Sequence, residues 1–144
     1  MIIRGGHRAQ RIMLAIDGSD HARAAEDSVA QLPWIETVDV AVIGITETGK
    51  HAKAVWESEK RLAAVANTTT AQVLGPDELQ VFYRPSDTIL EAAKKWNADI
   101  VALGSRGLSS WETIGEVGLR RAGSCAIAVA QSARCSVMLG RAQP

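Results

Sequence analysis

The chain has 144 residues, 16 basic and 16 acidic side chains, a formal net charge of zero and 47% hydrophobic residues. That length fits one domain, 1–144, which buries roughly two-thirds of its unfolded surface. The balanced charge, with no basic run longer than a pair, excludes the electrostatic footprint of a nucleic-acid or membrane-surface binder, and no apolar run approaches the ~18 residues of a membrane span.

Met1–Arg11 lacks the apolar core of a signal peptide, so a soluble, cytoplasmic protein is expected. Arg11–Ile16 is a nearly unbroken apolar run closed by Asp17-Gly18-Ser19-Asp20, the pattern of a buried parallel strand ending in a turn. Ser19 is placed to cap a helix, Asp20 suits its positive end, and Ala22, Ala25, Val29 and Leu32 form its apolar face up to Pro33. Thr37–Thr46, rich in β-branched residues, reads as the second strand. Lys53–Leu74 reads as the second helix, with Val55, Leu62, Ala63, Ala66 and Val73 on one face, fraying at Thr68-Thr69-Thr70. After the Gly75-Pro76-Asp77 turn, Leu79–Tyr83 is expected as a short third strand.

Pro85-Ser86 opens a third helix with Ile89, Ala92, Ala93 and Trp96 toward the core, and Ile100–Leu103 follows as the fourth strand. The strand breaks into Gly104-Ser105-Arg106-Gly107, and Gly123-Ser124 later heads a fourth helix, Ser124–Ala130, before a fifth strand, Cys135–Leu139. The alternation implies a doubly wound parallel α/β sheet with helices on both faces. Ligands of such sheets lie at the carboxyl ends of the strands, where the strand order reverses, and Asp17, Ile45 and Gly104 fall at those ends. Closely spaced glycines let the backbone approach a phosphate, and a helix N-terminus favours an anion.

Over Arg11–Arg141 the chain resembles the universal stress protein family. The matching pieces are Leu14–Ser19, Pro85 with Ile89, Asn97–Gly107, Gly123-Ser124 and Cys135–Met138. The resemblance implies a five-stranded sheet of order 3-2-1-4-5, of the adenine nucleotide alpha hydrolase-like kind, and a homodimer formed through the last strand, Ser136, Val137, Met138 and Leu139. It further implies a regulatory protein binding ATP or another adenine nucleotide, with or without Mg2+, through a Gly-x2-Gly-x9-Gly-Ser/Thr motif. Carried over to this chain, Asp17 meets the base or a neighbouring hydroxyl and Ile45 offers backbone groups to the base. Gly104, Ser105 and Gly107 run under the ribose and phosphates, Gly123 and Ser124 close on the phosphates, and Arg106 stands ready to neutralise them.

Two departures separate the chain from the family pattern. Residues 108–122 number fifteen where the pattern has nine. Lengthening the loop costs only about 0.45 kcal/mol in closure entropy, so the question is geometric: the insert, with Trp111, Arg120 and Arg121, covers the site or fills it. A register through Gly118 leaves ten residues, but Leu119 then stands where a hydroxyl is required, so Gly123 is preferred. Tyr83 replaces a glycine before Pro85 and is expected to crowd or stack on a ligand.

The functional readings compete with plainer ones. Asp17 is also a turn former beside Gly18, Ser124 a helix cap, and Trp111 a packing residue. Cys125 and Cys135 lie ten apart in apolar surroundings and are expected as thiols without a disulfide or metal. His7, His21 and His51 are scattered, so neither a metal site nor a triad is expected. Beside the nucleotide-binding regulator stand two alternatives. One is a dimeric interaction module whose long loop no longer holds nucleotide, and the other is a slow nucleotide hydrolase. The hydrolase has only Glu112 and Glu116 near the loop and no convincing base, so no enzymatic activity is expected. A response-regulator reading is set aside because Tyr83-Arg84-Pro85 at the expected end of the third strand offers no acceptor aspartate.

Overall fold

The computed structural model describes residues 10–45, 52–74, 85–105 and 124–142. Its five strands are β1 (Arg11–Ile16), β2 (Asp39–Ile45), β3 (Thr68–Leu74), β4 (Ile100–Gly104) and β5 (Ser136–Gly140). They form one all-parallel sheet in the order β3-β2-β1-β4-β5, as the resemblance implies. The helices are α1 (Asp20–Ala30), α2 (Ala52–Ala63), α3 (Pro85–Trp96) and α4 (Ser124–Ser132), with a single 3-10 turn at Ile35–Thr37 before β2.

Side chains of a strand alternate between faces, so the central strands divide their apolar residues between two layers. Ile12, Leu14, Ile16, Val40, Val42, Ala102 and Met138 pack with Ala25 and Val29 of α1 and Val55 and Leu62 of α2. Met13, Ala15, Ile43, Val101, Leu103 and Val137 pack on the other side with Ile89 and Ala93 of α3 and Cys125 and Val129 of α4. As the alternation of β5 predicts, Val137 and Met138 lie in opposite layers.

Local chemistry sets the helix ends. Ser19 caps α1, its Oγ accepting the Ala22 N–H at 3.1 Å. Pro85 occupies the first position of α3, and Lys94 and Lys95 complement the dipole of its last turn. Asn97 at φ 57° then reverses the chain, the Ala98 N–H reaching Ala93 O and the Asn97 N–H reaching Lys94 O. Asp99 fastens β4 to the start of β1, its Oδ2 accepting the N–H groups of Gln10 and Arg11, both at 2.9 Å.

One stretch differs from the sequence expectation. The second helix stops at Ala63, and residues 68–74, expected as its last turns, form β3. Three consecutive threonines prefer a strand. The segment alternates exposed and half-buried residues, which is a period of two and not of 3.6. Asp39 fixes the start of the strand by accepting bonds from the Thr68 hydroxyl at 2.6 Å and the Asn67 amide at 2.8 Å. Thus β3 takes the sheet position expected for Leu79–Tyr83, a segment outside the described residues. Tyr83 therefore does not end the third strand and does not bear on a response-regulator fold. Strand order excludes that fold instead, because it runs 2-1-3-4-5.

Candidate functional site

Strand order reverses at β1. The chain moves outward from β1 through β2 to β3, crosses back to β4 beside β1, and ends at β5 on the far edge. The carboxyl ends of β1 and β4 therefore part the connections on either side and leave a crevice. Both α1 and α4 begin from this side of the sheet, because each follows a strand that ends there. Their N–H termini contribute positive potential to the crevice.

Asp17, one residue beyond β1, occupies the crevice floor with 6% of its surface exposed. Gly18, at φ 82°, allows the tight turn that folds the chain back onto the carboxylate. Asp17 Oδ1 accepts the Ser19 N–H at 2.9 Å. Its second oxygen, Oδ2, is buried and meets no donor among the described residues. A buried acceptor that meets no donor costs about 1–3 kcal/mol, so Oδ2 is a place where a further donor is favoured.

Ile45 ends β2, nearly buried. Gly104 ends β4 and stands in register with Gly140 at the end of β5. Ser105 follows, buried, its N–H donating to Gly140 O at 2.7 Å. Asp17, Ile45, Gly104 and Ser105 are thus brought to one edge of the sheet, as the sequence predicts. Ser124 begins α4 on that edge. Arg106, Gly107, Gly123, the 108–122 insert with Trp111, Glu112, Glu116, Arg120 and Arg121, and Tyr83 lie outside the described residues.

Two residues of this edge escaped the sequence reading. His21, in the first turn of α1, accepts the Ala142 N–H on Nδ1 at 2.9 Å and lies 3.4 Å from the Ser105 hydroxyl. Gly140 lets α1 rest directly on β5, since a Cβ there would stand 2.2 Å from the Ala25 nitrogen. A lone histidine carries no spacing signal, and a glycine at a strand end reads as an ordinary terminator. Cys125 is buried and Cys135 half-buried, and neither forms a disulfide.

Below the crevice, α1 and α2 are joined by an ion pair. Both oxygens of the buried Glu26 accept bonds from Arg61, at 2.6 and 2.7 Å, and Arg23 lies 3.4 Å from the same carboxylate. Burial pushes the Glu26 carboxyl up, but the Arg61 hydrogen bonds and the charges of Arg61 and Arg23 outweigh it, leaving the pKa below the ordinary 4.5.

Comparison with known proteins agrees with this architecture. The model of the Universal stress protein family matches residues 8–141. A Thermus aquaticus universal stress protein, described by its place in the 3'region of QAH/OAS sulfhydrylase, is 31% identical over 140 residues, covering 90% of this chain and 97% of that one. Among solved structures, universal stress protein UspA from Lactobacillus plantarum superimposes with a TM-score of 0.72 at 21% identity, over 94% of this chain and all of that one. A universal stress protein in complex with cAMP gives 0.66 at 19% identity, covering 94% and 98%. The Archaeoglobus fulgidus universal stress protein in complex with dAMP gives 0.64 at 18%, covering 91% and 97%. On the extent of the family match, and in keeping with the strand order, the chain belongs to the universal stress protein family.

Proposed function

We propose that this protein is a regulatory nucleotide-binding protein that takes ATP or a related adenine nucleotide at the carboxyl edge of its sheet. The buried Oδ2 of Asp17, which meets no donor among the described residues, carries the reading. It is an acceptor held in place by the Ser19 N–H on its sister oxygen, and the exocyclic amine of adenine or a ribose hydroxyl supplies the missing donor. The N-termini of α1 and α4 favour the phosphates. Complexes of two structural neighbours, with cAMP and with dAMP, support the adenine class.

The reading is of binding without turnover. Magnesium, where present, accompanies the nucleotide's phosphates. We further propose that two copies pair through β5 and that the protein works in the cytoplasm as part of a stress response. The exposed Leu139 on β5 and Ile127 on α4, on the same side of the sheet, support the pairing.

Nucleotide carried through purification tests the reading. Protein denatured after isolation from cells releases ATP, ADP or AMP in near-stoichiometric amount, identified by chromatography and mass. A chain that releases none, and takes up none on incubation with millimolar ATP, is instead the interaction module that the long 108–122 loop allows.

A further inference from the structure

His21 makes contacts that ligand binding alone does not require. Its Nδ1 accepts the N–H of Ala142, the second residue beyond β5, while the Ser105 hydroxyl stands 3.4 Å from the same nitrogen. A backbone N–H can only donate, so this Nδ1 is unprotonated and the neutral ring carries its proton on Nε2. Ser105 is held a second time through its own N–H, which donates to Gly140 O. Gly140 in turn lies hard against Ala25 of α1, with no room for a side chain. The imidazole thereby joins the start of α1 to the segment after β5 and stands against the end of β4, which the Ser105 N–H in turn fastens to the end of β5.

Resting on the nucleotide reading above, we propose that His21 is a positioning residue. Without touching the ligand, it holds Ser105 at the end of β4 and the segment 141–142 as one unit, so nucleotide affinity and the order of that segment are linked. Ser105 follows Gly104 at the end of β4, on the edge of the sheet where the nucleotide is proposed to sit. Linkage is reciprocal: whatever bound nucleotide does to Ser105 is felt at Ala142, and a change at Ala142 is felt by the nucleotide. The segment following the edge strand β5 thus reports whether the crevice is occupied.

The test compares the whole chain with His21→Ala and His21→Asn, the asparagine oxygen standing near the place of Nδ1. ATP affinity is measured by calorimetry, hydrogen exchange at the Ala142 amide by NMR, and folding by thermal melting. In the native chain, imidazole nitrogen shifts show the Nε2-protonated tautomer, and saturating ATP slows exchange at Ala142. His21→Ala removes that protection and weakens ATP binding about three- to tenfold, the worth of roughly one hydrogen bond. His21→Asn restores both. Native ATP affinity in a folded His21→Ala, or an Ala142 exchange rate that ATP leaves unchanged in the native chain, overturns the linkage while leaving nucleotide binding intact. Failure of the native chain to bind millimolar ATP overturns the nucleotide reading and the linkage with it.

Discussion

At Asp17 the two oxygens of one carboxylate have different tasks, and substitutions separate them. Asp17→Asn keeps an oxygen for the Ser19 N–H but turns a donor toward the position of Oδ2. ATP affinity should fall about ten- to a hundredfold, the range of a charge-assisted bond, with the melting temperature nearly unchanged. Asp17→Ala should lose the turn bond, worth about 1 kcal/mol, and also the buried Oδ2 that meets no donor among the described residues, so ATP affinity falls as in Asp17→Asn while stability in denaturant titration changes little. If both variants bind ATP like the native chain, Asp17 is only a turn former. Glu26 has no role in the crevice, yet it gives a signed pH dependence. Its folded pKa lies below the ordinary 4.5, so its stabilising contribution is fully present above that value and lost as pH falls through the folded value. Arg61→Ala should cost on the order of 2 kcal/mol at pH 7, less than a fully buried pair because the arginine side chain is 37% exposed. In denaturant titrations the difference from the native chain should shrink as the pH falls through the lowered folded pKa of Glu26, and a difference that stays constant with pH would show that lost packing, not charge, is responsible.

Among the elements, the strands that run through the sheet centre were legible because burial on both faces writes a continuous apolar run, as in Arg11–Ile16 and Ile100–Leu103. An edge strand carries no such run. In β3 three of seven residues are threonine, and Ala66 and Val73, seven apart, continue the helical face of Val55 and Leu62, which hides the boundary after Ala63. Of the candidate site, the turn at Asp17 and the glycine at the end of β4 were legible because strand ends and turn residues are local signals. His21 was not, since its partner Ala142 lies 121 residues away and only the closeness of α1 to β5 brings them together. That closeness makes its own prediction. Gly140→Ala puts a methyl group into the backbone of Ala25, and overpacking of this kind costs about 1–3 kcal/mol. Gly44→Ala presses on the Val55 side chain, at 2.5 Å, with the Ile16 oxygen at an ordinary 3.6 Å, and should be milder by chemical denaturation. Equal stabilities would mean that α1 is free to move off β5.

For the whole molecule, the sheet leaves two edges, β3 and β5, and exposed apolar side chains stand on elements next to each: Trp56 on α2 and Val65 between α2 and β3, Ile127 on α4 and Leu139 on β5 itself. Pairing through β5 predicts a dimer by light scattering at micromolar concentration. Leu139→Lys should break it and Trp56→Lys should not, whereas the reverse pattern would place the contact at β3. Occupancy of the crevice is the central claim, and it is most directly tested by calorimetric titration of ATP into nucleotide-stripped protein, native and Asp17→Asn. The expected result is one site per chain with a micromolar dissociation constant, equivalent to roughly 8 kcal/mol, weakened at least tenfold by the substitution. Absence of binding at millimolar ATP, or equal affinity in the two proteins, would contradict it.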